Sequence, residues 1–147
     1  MRKSRGSALI VVSLVGSLLV TAASGQDSGK IQGAWIVVSA ERDAKPAADV
    51  TGHRLTFSGD TFTIQLDGNT LYRGTFSVDV ARKPAQIDFH HTEGTIKGKT
   101  WRGIYRIEGA GLRICDNAPD LRRPRPTTFS AVPGAGSICI IFKRATG

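Results

Sequence analysis

The chain has 147 residues, 40% of them hydrophobic, so it has room for one modest core and a single domain. Lysine and arginine number 20 against 12 acids, a net charge of +8. Three of the cations and none of the acids precede Gln26, which leaves 17 against 12, or +5, a moderate excess for which nucleic acid is not the expected partner.

The first element in chain order is an export signal. "MRKSRGS" carries Arg2, Lys3 and Arg5, the run from Ala8 to Val20 is apolar, and "TAASGQ" supplies small residues. That order is a secretory signal peptide over residues 1–25, with Gln26 as the expected mature N-terminus and cleavage after Ala23 as the second choice. The apolar run is shorter than the ~20 residues of a bilayer-spanning helix, and no cysteine lies in the first 114 residues to take a lipid. The expected product is an exported domain over 26–147, periplasmic or secreted, with no stable membrane anchor after cleavage.

From Gln32 onward the pattern has period two rather than 3.6. "HRLTFSG" sets Leu55 and Phe57 against Arg54 and Thr56; "TFTIQL" sets Phe62, Ile64 and Leu66 against Thr63 and Gln65. "LYRGTFSVD" gives Tyr72, Phe76 and Val78 one face and Arg73 the other, and "AQIDFHH" places Ile87, Phe89 and His91 together. "TWRGIYRI" follows with Trp101, Tyr105 and Ile107, with Arg106 opposite, then "GLRIC" with Leu112 and Ile114, with Arg113 opposite. "TTFSAV" and "SICIIFKR" close the domain, the latter with Ile138, Ile140, Phe142 and Arg144 on one side. Turns rich in Gly, Asp and Asn separate the strands, as tight hairpins require. Two longer breaks stand apart, "ERDAKPAADVTG" with a helical turn expected inside it and the proline-rich, solvated basic loop "DNAPDLRRPRP".

The fold class this predicts is all-β, an antiparallel up-and-down lipocalin-like barrel of 8–9 strands, because closure removes the edges that a flat meander would expose. The first strand opens on Gly33-x-Trp35. In a barrel, Gly33 lets the backbone bend inward, Trp35 plugs the closed end, and Arg144 of the last strand lies across the indole, worth roughly 0.5–2 kcal/mol. These three residues are the expected structural set.

The segments "GAWIVVSAERDAKP", "LTFSGDTFTI", "GTFSVDVARKPAQIDFHHTEG", "GKTWRGIYRIEGAGLRIC" and "PGAGSICIIFKR" resemble those of an uncharacterised lipocalin-like domain family of exported bacterial proteins, abundant in planctomycetes. Its members open with a "GxW-x-VVSAERDGKP"-like segment. The resemblance spans Gln32 to Arg144 and implies the barrel; it carries no activity with it. This chain departs from the pattern at the second His of "FHH", at Trp101 and at the extra "RPR" after Cys115.

The chemistry-bearing residues are few. In "IDFHHTE", His90 and His91 point to opposite faces, so only Asp88 with His90, or His91 with Glu93, share a side, and two ligands do not make a metal site. No catalytic nucleophile, base and orienter set is visible, so catalytic residues, metal and cofactor are all expected to be none, and the protein is not expected to be an enzyme. Cys115 and Cys139 share the outer parity of their strands, and export favours a disulfide between them. A strand built on "TTFSAV" between them would hold them about 9–10 Å apart and leave two free thiols, which is the expectation; a different strand order reverses it. The expected partner is a small apolar or amphipathic ligand inside the barrel, against Phe57, Phe76, Phe89, His91, Trp101 and Tyr105. The alternative is a packed barrel acting through its outer face as an envelope or inhibitor-like module.

Overall fold

The structure, a computed structural model, describes residues 29–146; the signal-peptide expectation lies outside the described residues. After a helical turn at 29–31 the chain forms nine strands: β1 (Gly33–Arg42), β2 (Lys45–Pro46), β3 (Arg54–Ser58), β4 (Thr61–Leu66), β5 (Asn69–Asp79), β6 (Gln86–His91), β7 (Thr100–Glu108), β8 (Gly111–Asp116) and β9 (Ile138–Arg144). β1 and β3 to β9 follow one another as an antiparallel meander, and pairing of β1 with β9 closes an eight-stranded barrel. β2 is the extra strand, folded back on the end of β1. The expected helical turn in the first long break is a 3-10 turn at Ala48–Val50.

The predicted parity holds. Phe57, Phe62, Phe76, Phe89 and Tyr105 are buried, and none of Arg54, Arg73, Arg106 and Arg113 is. Ile64 and Ile140, expected to be buried, face inward but are only partly buried, because the barrel is not filled at their level.

The direction of each strand defines the two ends. Gly33, Ser58, Thr61, Asp79, Gln86, Glu108, Gly111 and Arg144 lie at one end, and Arg42, Arg54, Leu66, Asn69, His91, Thr100, Asp116 and Ile138 at the other. The first end is shut as the Gly-x-Trp reading expects. Trp35 is 1% exposed, its indole N–H donates to the Ile31 carbonyl at 2.8 Å, and the Arg144 guanidinium carbon sits 3.8 Å above the ring. Arg144 also donates to the carbonyls of Gln32 and, at 2.6 Å, Lys30, tying the last strand to the entry of the first. Gly33 has φ +102°, in the region that favours glycine, and a Cβ there would stand 3.1 Å from the Arg144 Nη1. Gln32 and Gly59 exchange two hydrogen bonds, of 2.7 and 2.8 Å, across the same end.

Two expectations are corrected together. "TTFSAV" is not a strand; it lies in the long β8–β9 connection, bracketed by Pro124, Pro126 and Pro133, whose missing N–H groups suit no ladder. β8 therefore pairs directly with β9, Cys115 stands opposite Cys139, and the two form a disulfide with Cα atoms 4.1 Å apart. The outer parity of both cysteines was correct; the intervening strand was not. The displaced segment instead covers the outer wall, where Phe129 lies under the Arg106 guanidinium and Ala131 packs with Ile104 and the disulfide in a small second core.

One arginine of the basic loop is not solvated. Arg125 reaches the barrel wall, donates to the carbonyls of Ile87 and Gly103 at 3.2 and 2.8 Å, and stands 2.7 Å from the Asp88 carboxylate. Arg122 and Arg123 remain exposed beside Asp120.

Candidate functional site

At the open end the barrel holds a cup of about 470 Å³. Its apolar wall comes from Val37 and Leu55 on one side, Ile138, Ile140 and Phe142 on the next, and Ile64, Tyr72 and Trp101 opposite. Arg42, Asp49 and His53 stand at the rim, and Asp116 lies in the wall.

The rim depends on an irregularity. The β1–β9 register shifts between Val37 and Ser39, so that one extra residue is taken up at Val38. A bulge of this kind reverses the parity that follows it. Trp35 and Val37 face in before the bulge, Ala40 and Arg42 after it, which is how a charged residue reaches the cup. There Arg42 forms a two-pronged pair with Asp49 of the 3-10 turn, at 3.3 and 3.2 Å, and this hydrogen bonding holds the Asp49 carboxyl below its usual range.

The six residues expected to contact a ligand divide by level. Trp101 lines the cup. Phe57, Phe76 and Phe89 lie beneath it and fill the barrel with Phe62; Phe57 and Phe76 meet edge-on at 4.6 Å between ring centres, Phe62 and Phe89 at 5.0 Å. Tyr105 is buried and does not line the cup. His91 stands one layer behind the wall, with its ring centre 4.2 Å from Trp101, 5.6 Å from Tyr72 and 5.3 Å from Phe62. Gly74, between Phe62 on β4 and His91 on β6, lets those rings meet: a Cβ there would fall 1.8 Å from the His90 carbonyl oxygen and 2.9 Å from Phe62.

His91 is 3% exposed, and neither ring nitrogen has a hydrogen-bond partner. Loss of hydration, with a smaller contribution from the charge of His90, pushes the imidazole down to about 4, so it is neutral at physiological pH. His90 points outward to the Thr100 hydroxyl at 2.9 Å. Asp88 is engaged by Arg125, and no group of three or more metal-ligating side chains occurs among the described residues.

Asp116 continues the inward face of Leu112 and Ile114, and the sequence reading passed over it. It is 4% exposed, and burial pushes its carboxyl up to about 7. Its Oδ1 accepts one hydrogen bond, from the Ala118 N–H at 2.9 Å. The signal available in the sequence was the alternation of "LRICD", which carries the dry face of β8 to an acid one residue beyond the stretch read as a strand.

An antiparallel eight-stranded barrel, plugged by an aromatic at one end and open in a cup at the other, is a lipocalin-like architecture. Among known proteins, no family model matches the chain, and no curated protein and no solved structure matches it.

Proposed function

We propose that the protein is an exported lipocalin-like barrel that binds a small apolar or amphipathic molecule in the cup. The observation that carries this reading is the contrast within one barrel between a lower half packed with Phe57, Phe62, Phe76 and Phe89 and an upper half left open at about 470 Å³ behind an apolar wall. Such a volume is in the range of small-molecule sites, and an apolar wall with a few fixed polar groups suits a ligand with a greasy body and one polar end. Export is supported by the Cys115–Cys139 disulfide, which fits an oxidising compartment, and by the leader-like N-terminus. The same reading keeps the kinship with the exported lipocalin-like family as a proposal.

The test is direct. Native mass spectrometry of the protein purified from its host is expected to show a bound small molecule. The purified protein is expected to take up an apolar fluorescent probe, and Ile140→Trp, which fills the cup, to abolish uptake without unfolding the barrel. Equal uptake by the filled variant, or none by the wild type, would favour the alternative of a packed interaction module. N-terminal sequencing of the exported protein should start near Gln26; intact Met1-containing chain in washed membranes would overturn the export reading.

A further inference from the structure

The cup carries an acid with no cation to match it. Asp116 is 96% buried by its 4% exposure, projects from the inward face of β8 and lines the cavity. Among the described residues no Arg, Lys or His pairs with it, and the backbone N–H of Ala118 is its hydrogen-bond donor. The arginine on the rim, Arg42, is committed to Asp49 by both of its terminal nitrogens.

Asp116 is also held in place. Asn117, buried at 1%, accepts from the Arg102 N–H at 2.8 Å through its Oδ1 and donates to the Arg123 carbonyl at 2.9 Å through its Nδ2, which pins the chain immediately after Asp116. On the neighbouring strand its partner is Gly103, where a Cβ would approach the Asp116 Cβ to 3.0 Å. The fold thus makes room for this carboxyl and fixes it. A turn-forming role needs only one acceptor oxygen, which an amide supplies equally well, and leaves the ionisable second oxygen without a purpose.

From this placement we infer that the ligand of the cup is a hydrophobic amine, whose ammonium group is received by Asp116 and whose apolar body lies against Tyr72, Trp101 and Ile140. This rests on the proposed binding function and specifies its ligand class. A buried carboxylate without a partner is costly, and a ligand cation supplies the missing charge with a charge-assisted hydrogen bond. A carboxylate ligand would instead face an acid in the wall and an arginine already neutralised.

Titration of n-octylamine, n-octanol and n-octanoate into the wild-type protein, read by calorimetry and by tryptophan emission, tests the inference. Trp35 is sealed at the closed end, so a ligand-dependent emission change reports Trp101. At pH 8 the amine is expected to bind at least about tenfold more tightly than the alcohol, as for a hydrogen bond to a charged group, and the octanoate most weakly. Asp116→Asn should remove that preference, so that octylamine binds the variant no more tightly than octanol does. The alkylammonium stays protonated below pH 8, as a lysine side chain does, so its affinity should fall by up to about tenfold per pH unit below 7 as Asp116 takes up its proton. The other ionisable groups on the cup are Arg42, Asp49, His53 and Tyr72. His53→Gln should therefore keep the pH dependence and Asp116→Asn should lose it. If octanol binds as tightly as octylamine in the wild type, or if Asp116→Asn retains the amine preference, the inference is overturned while the binding function stands. If none of the three binds, the binding function falls and the inference with it.

Discussion

Two buried ionisable groups, His91 and Asp116, should pull the stability of the protein in opposite directions over the same pH range. His91 titrates near 4 in the fold against 6.5 in the unfolded chain. A depressed pKa of this kind gives stability that is fully present above pH 6.5 and is lost as pH falls towards 4, on the order of 3 kcal/mol in all. Asp116 titrates near 7 in the fold against 3.8 unfolded. Its ionisation in the fold is a cost, fully present above pH 7 and relieved as pH falls to 3.8, on the order of 4 kcal/mol. The two contributions nearly cancel in the wild type between pH 7 and 4, so the variants expose them. Urea unfolding of Asp116→Asn should show a protein several kcal/mol more stable than wild type at pH 8, with the difference shrinking to near zero by pH 4. His91→Phe should show the reverse dependence, gaining on the wild type as pH falls below 6.5. Taking each variant against the wild type at the same pH removes exposed carboxyls such as Asp49, which titrate alike in both proteins. A difference that stays constant from pH 8 to 4 for either variant would refute the argument for that residue.

Trp35→Ala should cost about 3–5 kcal/mol, as for a large buried aromatic, and Arg144→Ala about 1–2 kcal/mol; with the guanidinium 3.8 Å above the ring, a double-mutant cycle by urea unfolding should give a non-zero coupling, and strict additivity would deny the stacking. Replacing both Cys115 and Cys139 by serine should lower stability by about 2–4 kcal/mol, since their bond closes a loop with a sequence separation of 24; thermal unfolding of the oxidised, reduced and serine forms checks this. Ala44 has φ +57°, in the left-handed region of the two-residue turn between β1 and β2. Ala44→Gly should therefore raise stability by about 0.5–1 kcal/mol, the relief of left-handed strain net of the glycine entropy cost, and a fall in the urea midpoint would contradict it.

Period-two alternation was enough to read the barrel and the inward face of β3 to β8, because one face of each strand is dry and a slip of one residue would expose it. The Gly33, Trp35 and Arg144 set was legible for a related reason: the first and last strands must pair if the barrel closes, and only a few residues at the shut end are both large and complementary. The disulfide was missed because alternation also occurs in a chain that never pairs. "TTFSAV" has a strand's pattern, yet the prolines around it and the direct pairing of β8 with β9 leave its backbone no ladder. Arg42 was out of reach for a different reason, since its inward direction follows from the bulge at Val38, and an inserted residue leaves no mark in the pattern until the partner strand is known.

The candidate site was the least legible part, because alternation says which way a side chain faces and nothing about how much room it meets. Five inward aromatics and His91 were read as one ligand-contacting set; level along the barrel axis is what separates them. Phe57 and Phe62 flank the β3–β4 turn at the shut end, so their rings converge with those of Phe76 and Phe89 and fill the space, while β4 brings Ile64 and β9 brings Ile138, Ile140 and Phe142 to the wall of the open half. The same division accounts for Asp116. A carboxyl one pleat lower, at the position of the fully buried Ile114, would meet no cavity, whereas at the end of β8 it borders a cavity that can admit a counterion. The shut half supplies the packing that tolerates an acid in the open half, and the acid is the feature that gives the open half a chemical preference.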